Sequence, residues 1–212
     1  MQNADFWHDK WASGEIGFHQ DDFHPFLKKY WKKTGLKRRS TVFVPLCGKT
    51  KDMLYLRECS HDVIGVELSA QAAKDFFAEN NMKSMTLPKG DFDCHIGNGL
   101  SIYTGDFFKI TEQQLKHVRA VYDRAALIAL PEKLRSKYAE HLKDILPAGT
   151  LIFLVTIEYE GGKIDGPPFS VSEDEITSLF GDWCDITKVT TLGPEDFRGV
   201  EAHETLYQMT MK

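Results

Sequence analysis

The sequence has few cysteines, no long apolar run and no excess of basic residues. Its four cysteines (Cys47, Cys59, Cys94 and Cys184) form no Cys-x-x-Cys pair, so neither a disulfide framework nor a zinc site is expected. No apolar run reaches transmembrane length and no signal-peptide pattern is present, and we therefore expect a cytoplasmic protein without a membrane partner. The formal net charge of −5 provides no basic surface for nucleic acid, so we expect none as a partner.

Residues 41–69 have the pattern of a strand, a tight turn, a helix and a second strand. The first apolar run ends at Gly48, and the second run ends with Glu67. This order predicts the first βαβ unit of a doubly wound sheet. Glu67 lies about 20 residues beyond the turn, where nucleotide-binding folds place an acidic residue that accepts hydrogen bonds from ribose hydroxyls. The unit therefore indicates a ligand that carries adenosine.

The same turn lacks both phosphate-binding patterns. It contains no Gly-x-Gly-x-x-Gly, and Gly48-Lys49-Thr50 lacks the earlier glycine of a phosphate-binding loop. A ribose-binding acid without a phosphate cradle indicates an adenosine ligand that has no phosphates, and S-adenosylmethionine is the common one. The alternative is that Glu67 is only a solvated residue at the end of a strand.

Strands and helices continue to alternate along the rest of the chain. Gly97-Asn-Gly99 predicts a hairpin between two short strands, and residues 185–192 and 203–211 predict an antiparallel hairpin at the sheet edge. We therefore expect an α/β fold with a doubly wound, mostly parallel seven-stranded sheet, helices on both faces and a C-terminal antiparallel hairpin. This is a Rossmann-like fold of the class I methyltransferase type.

The length of 212 residues suits one domain with a sizeable core. We expect residues 1–40 to form an N-terminal helical cover of the active site and residues 41–212 to form the Rossmann-like core.

Seven short motifs span nearly the whole chain in register, namely Phe6-Trp-His-Asp-Lys-Trp11, Gly17-Phe-His-Gln20, Val44-Pro-Leu-Cys-Gly-Lys49, Val63-Ile-Gly-Val-Glu-Leu-Ser69, Tyr122-Asp-Arg-Ala-Ala-Leu127, Gly166-Pro-Pro-Phe169 and Thr205-Leu-Tyr207. In these motifs the chain resembles the bacterial branch of the thiopurine S-methyltransferase family. The resemblance implies an S-adenosylmethionine-dependent enzyme that methylates the sulfur of thiopurines or of other aromatic or heterocyclic thiols by in-line displacement. Selenium and tellurium compounds are further acceptors that it implies.

The resemblance also assigns roles to residues that match the family motifs. It implies that the cofactor S-adenosylmethionine, whose product is S-adenosylhomocysteine, is contacted by Trp11, Leu46, Glu67, Asp106, Phe107 and Arg124. It places Arg124 and Arg198 near the acceptor and His19 at the border of the acceptor cavity, which makes these three the candidate catalytic residues.

Several of these residues have an alternative interpretation that involves no ligand. Trp7 and Trp11 are spaced to share one helix face, so they could simply pack against the sheet. Asp106 could belong to an ordinary Gly-Asp turn, His19 could be structural, and Arg198 could be a surface arginine.

We expect a small-molecule thiol as the partner, a monomer, and no metal ion, since sulfur ionises far more readily than an alcohol and no convincing cluster of carboxylates is present. Two other functions stay open at this point. One is a binding module that holds S-adenosylmethionine without turnover, and the other is an NAD-dependent oxidoreductase, which would need the missing phosphate cradle.

Overall fold

The computed structural model describes residues 4–17 and 19–212, and within these ranges it contains a nine-stranded sheet flanked by helices. The strands are β1 Thr41–Val44, β2 Asp62–Glu67, β3 Met85–Lys89, β4 Phe92–Gly97, β5 Leu100–Thr104, β6 Val118–Arg124, β7 Leu151–Tyr159, β8 Cys184–Phe197 and β9 Val200–Met211. The helices are α1 Ala4–Ser13, α2 Pro25–Tyr30, α3 Asp52–Glu58, α4 Ala70–Glu79, α5 Glu112–Leu115, α6 Glu132–Ile145 and α7 Glu173–Phe180. Short 3-10 turns lie at Trp31–Thr34, Phe107–Lys109 and Leu127–Ala129.

The strand order is β3-β4-β5-β2-β1-β6-β7-β9-β8. Strands β5, β2, β1, β6 and β7 pair in parallel, and the outer strands pair antiparallel. From β1 the chain adds strands first on one side (β2, β5) and then on the other (β6, β7), so β1 is the switch point of the sheet. In such sheets ligands bind beyond the carboxyl ends of the strands at the switch point. The predicted doubly wound α/β class is confirmed.

The predicted number of seven strands was wrong, because the sheet has nine. The sequence did not indicate β3, in which all five residues are exposed and Pro88 has no N–H for a ladder. An edge strand of this kind buries no apolar face, and it therefore lacks the alternation by which strands are identified.

Both predicted hairpins are confirmed. Asn98 and Gly99 form the turn between β4 and β5, with φ values of 50° and 73°. Positive φ at both central residues is the requirement of a two-residue hairpin turn, and Asn-Gly meets it at little cost. The C-terminal hairpin, β8 and β9, is longer than predicted and pairs with β7 through β9.

Helices cover both faces of the sheet. On one face α2, α3 and α4 bury Phe26, Met53 and Phe76. On the other face α5, α6 and α7 bury their apolar residues Leu115, Tyr138 and Ile176. We call the first of these faces the α3 face.

Local signals set the helix boundaries. The hydroxyl of Ser69 accepts a hydrogen bond of 3.2 Å from the Ala72 N–H and begins α4, and Ser172 begins α7 in the same way. Thr111 and Gln114 form a capping box at the start of α5. These contacts satisfy N–H groups that a helix N-terminus otherwise leaves unpaired.

Residues 1–3, in the predicted cover, and Phe18, in the predicted Gly-Phe-His-Gln motif, lie outside the described residues. In the part of the chain that is described, no helix has the length and apolar content needed to cross a bilayer.

Candidate active site

The turn after β1 contains two residues in the left-handed region of backbone conformation. Leu46 has a φ of 45° and Gly48 a φ of 51°. For a residue with a side chain this conformation costs about 1–2 kcal/mol, so Leu46 is strained. Between them, the Cys47 N–H donates a 2.9 Å hydrogen bond to the carbonyl of Val66 and ties the turn to β2. Backbone strain of this kind is concentrated at functional sites.

Glu67, the last residue of β2, faces this turn. Its side chain is buried, with a relative exposure of 5%. Oε2 accepts a 2.8 Å hydrogen bond from the Gly48 N–H, and Oε1 accepts one of 2.8 Å from the Ser69 N–H. A carboxylate has about four acceptor positions, so Glu67 can still accept hydrogen bonds from a ligand. The interpretation of Glu67 as a solvated strand end was wrong.

Burial raises the pKa of Glu67, and hydrogen bonds from the backbone of Ser69, Gly48 and Leu68 lower it, with burial the larger effect. The carboxylate is therefore held in place by the backbone although its charge is partly desolvated. A fixed acceptor with spare lone pairs suits the hydroxyl groups of a sugar.

Trp11, on α1, packs on the turn. A Cβ added to Gly48 would lie 3.1 Å from Cζ2 of Trp11, and Trp11 has a relative exposure of 9%. Glycine at position 48 therefore allows the indole ring to approach the backbone closely. The structure brings Trp11, Leu46, Gly48 and Glu67 together at the carboxyl ends of β1 and β2.

The loop after β5 joins the same edge. The Gly105 N–H donates a 2.9 Å hydrogen bond to the carbonyl of Glu67. Asp106 is exposed and its Oδ1 accepts a 3.0 Å hydrogen bond from the Phe108 N–H. The ring of Phe107 points into the core, where it has an exposure of 3% and lies 5.0 Å from the ring of Tyr138. Asp106 thus faces solvent, whereas Phe107 does not.

Arg124, the last residue of β6, is half-buried and lies on the same face of its strand as Tyr122, two residues earlier. Among residues 4–17 and 19–212, no hydrogen bond or ion pair engages its guanidinium group. Its charge acts on Tyr122, whose pKa is raised well above its usual value by burial and by Asp52 and is lowered in part by Arg124. Arg124 therefore offers a fork of free donors to an anionic group.

His19 is half-buried beside Lys49. Burial lowers the pKa of His19, and the charge of Lys49 lowers it further. Lys49 itself is held by Glu79 at the end of α4, with 2.6 Å between Nζ and Oε1. At neutral pH the imidazole is therefore mainly neutral and able to accept a proton.

Arg198 lies in the turn between β8 and β9 and is exposed. Its Nη1 donates a 3.3 Å hydrogen bond to the carbonyl of Pro167, and its guanidinium lies 5.1 Å from the centre of the Phe197 ring. The loop that contains Pro167 is fixed near Arg124, because the Phe169 N–H donates a 2.7 Å hydrogen bond to the carbonyl of Ile128. Arg198 thus belongs to the same sheet edge, at its outer rim.

A buried polar group that the sequence did not indicate lies on the α3 face. Asp52 has an exposure of 2%. Its Oδ1 accepts a 2.8 Å hydrogen bond from the His24 N–H, and its Oδ2 accepts one of 2.8 Å from the Tyr122 hydroxyl. His24 in turn contacts Glu204, with 3.2 Å between Nε2 and Oε1. The local sequence gave one signal, an acidic residue in the first turn of a helix, and that has an ordinary explanation in the helix dipole.

A third buried acid, Asp123, lies on the opposite face of the sheet from Asp52 and is next to Arg124 in sequence. Asp123 accepts a 2.6 Å hydrogen bond from the Tyr138 hydroxyl and one of 3.2 Å from the Leu127 N–H. Burial raises the pKa of Asp123 to about 6. These bonds fix the turn at Ala125, where φ is 66° and the chain leaves β6.

Within the two described ranges, no group of three or more His, Cys, Asp or Glu side chains is arranged to hold a metal ion. The groups at the sheet edge are instead a buried carboxylate, an aromatic ring and cationic side chains.

The fold matches solved structures of methyltransferases at low sequence identity. The 1,6-didemethyltoxoflavin-N1-methyltransferase of Burkholderia thailandensis, solved with 1,6-didemethyltoxoflavin and S-adenosylhomocysteine bound, has a TM-score of 0.67 and 13% identity, with 99% of this chain and 87% of that chain covered. A SAM-dependent methyltransferase from Anabaena variabilis has a TM-score of 0.65 and 13% identity, with 99% and 95% covered. These matches concern the fold and agree with the class I methyltransferase type.

The sequence matches the family model described as Thiopurine S-methyltransferase (TPMT) over residues 2–210. The thiopurine S-methyltransferase of Marinobacter nauticus is 43% identical over 185 residues, covering 87% of this chain and 84% of that protein. That of Pseudomonas fluorescens is 41% identical over 195 residues, covering 92% and 88%. The chain therefore belongs to the thiopurine S-methyltransferase family, a family of S-adenosylmethionine-dependent methyltransferases, as its motifs predicted.

Proposed function

We propose that the protein transfers the methyl group of S-adenosylmethionine to the sulfur of a small aromatic or heterocyclic thiol in the cytoplasm. The observation that carries the proposal is Glu67. A buried carboxylate, fixed by two backbone N–H groups and with acceptor positions to spare, lies at the switch point of the sheet beside a turn without a phosphate-binding pattern. This arrangement suits a nucleoside sugar and offers no site for a diphosphate.

The cofactor fits the groups along this edge. We propose that Glu67 accepts hydrogen bonds from the ribose hydroxyls and that the strained turn at Leu46 lines the cofactor. Asp106 and Phe107 belong to the loop that would border the adenine, with Asp106 facing solvent and Phe107 supporting the loop from the core. The indole of Trp11 is suited to a positively charged sulfonium, because aromatic rings attract cations at close range. The cofactor supplies an activated methyl group.

The acceptor needs alignment more than it needs a strong base. A thiol ionises readily, so the protein's main contribution is to hold the sulfur in line with the methyl group and to exclude water. Such alignment can supply about 7–11 kcal/mol of the barrier. We propose that Arg124 and Arg198 stabilise the negative charge of the acceptor, and that His19 accepts a proton from a neutral thiol. Thiopurines, other heterocyclic thiols, and selenium or tellurium compounds are the proposed acceptors.

The N-terminal cover, residues 1–40, has a matching role. Trp11 rests on the turn at Gly48, and His24 is bonded to Asp52. We propose that this part of the chain closes over the cofactor and excludes water, while residues 41–212 form the core.

The decisive experiment follows isotope from methyl-labelled S-adenosylmethionine into a mercaptopurine. The expected result is a methylthio product together with S-adenosylhomocysteine. The matched control acceptor is the corresponding oxo-purine, which has the same ring and no sulfur and should remain unlabelled. Binding of S-adenosylhomocysteine without any transfer would indicate a binding module, and thermal stabilisation by NAD but not by S-adenosylhomocysteine would indicate an oxidoreductase; either result refutes the proposal.

A further inference from the structure

The carboxylate of Asp52 joins two parts of the chain that meet at the active site. One oxygen accepts the N–H of His24, 28 residues away in sequence, and the other accepts the hydroxyl of Tyr122, 70 residues away. The side chain is buried, and Tyr122 is fully buried with it. Burying a carboxylate costs free energy unless it is hydrogen-bonded. The two hydrogen bonds to Asp52 therefore belong to the packed interior and are not incidental contacts between surface charges.

The part of the N-terminal cover that precedes α2, residues 19–24, is fixed to α3 at further points. Asp21 forms an ion pair with Lys51, with 3.3 Å between Oδ1 and Nζ. The ring of Phe23 packs on that of Tyr55 at 5.4 Å between centres. The exposed ion pair contributes little by itself. The buried hydrogen bond at Asp52 is therefore the principal polar attachment of residues 19–24 to α3.

The imidazole of His24 extends the connection to β9. Its Nδ1 accepts a 3.2 Å hydrogen bond from the Phe26 N–H, so in the neutral ring the proton is on Nε2. Nε2 then donates to Glu204 on β9, at 3.2 Å. The side chain of Glu204 is 40% exposed and forms the solvent-facing end of this set of contacts.

Tyr122 connects Asp52 to the candidate acceptor-binding arginine. Tyr122 and Arg124 are two residues apart on β6, so their side chains lie on the same face of the sheet. The hydrogen bond from the Tyr122 hydroxyl to Asp52 fixes the Tyr122 ring on the face of β6 that also carries Arg124. Arg124 is close enough to Tyr122 for its charge to act on the phenol, and no hydrogen bond or ion pair to the described residues fixes its guanidinium group.

We propose that Asp52 is a positioning residue for acceptor binding: it holds residues 19–24 and Tyr122 in one arrangement, and thereby sets the cover and Arg124 around the acceptor. The inference rests on the proposed function, since it concerns the acceptor of that reaction. A purely structural role would reduce the amount of folded protein and leave the kinetic constants of the folded fraction unchanged.

The test compares Asp52→Ala, Asp52→Asn and Tyr122→Phe with the wild type and with Thr150→Ala. Thr150 is the matched control, because it is a buried polar residue whose hydroxyl donates a 2.6 Å hydrogen bond to Pro147 at the opposite edge of the sheet. For each protein, kcat and the KM for a mercaptopurine are measured per folded molecule at saturating S-adenosylmethionine. Hydrogen exchange of residues 19–24 is measured without any ligand.

We expect Asp52→Ala to raise the acceptor KM on the order of tenfold, with a smaller change in kcat. Exchange in residues 19–24 should become faster, and Tyr122→Phe should raise the KM in the same direction. Asp52→Asn should restore most of the wild-type KM, because its amide oxygen still accepts the His24 N–H and its amide N–H can donate to the Tyr122 hydroxyl. The double variant Asp52→Ala/Tyr122→Phe should be no worse than Asp52→Ala, since contacts within one unit are not additive.

The proposal is overturned if Asp52→Ala and Tyr122→Phe show the same KM and kcat as Thr150→Ala, or if Asp52→Asn is as impaired as Asp52→Ala. Should Asp52→Ala fail to fold, Tyr122→Phe decides, because it retains the ring and removes only the hydroxyl. A wild-type protein without turnover would refute the proposed function and this role together. Wild-type turnover with an unaltered KM in the variants would refute this role alone.

Discussion

Replacement of Glu67 by alanine is the most direct perturbation of the proposed cofactor site. Its effect on the free energy of unfolding follows from the hydrogen bonds that Glu67 accepts. Two buried N–H groups, of Gly48 and Ser69, would lose their 2.8 Å partners. Each unpaired buried donor costs about 1–3 kcal/mol. Burial raises the pKa of Glu67, which means that its charge is disfavoured overall, and loss of that charge offsets part of the cost. We therefore expect a loss of about 2 kcal/mol in the free energy of unfolding.

The same replacement has a second, separate effect, on cofactor binding. A hydrogen bond to a charged acceptor contributes about 1.5–3 kcal/mol, so loss of the carboxylate should weaken S-adenosylhomocysteine binding about 10- to 150-fold. Glu67→Gln should lie between the wild type and Glu67→Ala, because its amide keeps one acceptor oxygen and places a donor where the second oxygen was. As the pH falls toward the raised pKa of Glu67, wild-type affinity should decrease while that of Glu67→Gln stays level.

The assay is titration calorimetry with S-adenosylhomocysteine, with urea unfolding of the same samples. Glu175→Gln is the control, because it weakens the partly buried contact with Arg135 on the opposite face of the sheet, where both carboxylate oxygens lie 2.7 Å from Nη1. That variant should lose stability and keep its affinity. If Glu67→Ala is folded and binds S-adenosylhomocysteine as tightly as the wild type, the ribose assignment is refuted.

Three further predictions concern other residues of the same edge. Arg124→Ala should lower kcat/KM for a mercaptopurine by about tenfold or more. The control is Arg119→Ala, which removes an exposed arginine near the other end of β6 and should leave kcat/KM unchanged. Equal kcat/KM values for the two variants would remove Arg124 from acceptor binding. Gly48→Ala should lower the free energy of unfolding by about 1–2 kcal/mol, because alanine disfavours the left-handed conformation. It should also weaken S-adenosylhomocysteine binding in calorimetry, because the new Cβ would lie 3.1 Å from Trp11. Unchanged affinity would show that Trp11 need not approach the turn. Burial raises the folded pKa of Asp123 from 3.8 to about 6, so the stability that Asp123 contributes is present below pH 4 and is lost as the pH rises through 6, by roughly 3 kcal/mol. The urea midpoint of the wild type should therefore fall relative to that of Asp123→Asn between pH 4 and 7. Parallel pH curves for the two proteins would contradict the burial argument.

Some elements could be predicted from the sequence because neighbouring residues alone determine them. The turn formed by Asn98 and Gly99 was predictable because the hairpin requires positive φ at both positions. The caps at Ser69 and Ser172 were predictable because a hydroxyl there satisfies a free N–H of the helix. Strand β3 was not predictable, because an exposed edge strand has no buried face to impose an alternating pattern.

The candidate site likewise has features that the sequence predicts and features that only the tertiary structure shows. The position of Glu67 at the end of a strand follows from the βαβ pattern. Its burial and its two backbone partners depend on how the turn at Gly48 packs beside β2. The sequence assigned Phe107 to the cofactor loop, and only the packing of that loop on α6 shows that the ring enters the core.

The sequence by itself determined the α/β class, the acidic strand end without a phosphate cradle, and the family. These depend on periodicity, turn chemistry and short motifs, which are contained in neighbouring residues. Tertiary structure alone decided that Asp52 holds both His24 and Tyr122, and that Arg124 keeps its donors free of intramolecular partners among the described residues. The physical reason is that such contacts join residues far apart in the chain, and they are set by the strand order of the sheet and by the packing of α3 on it.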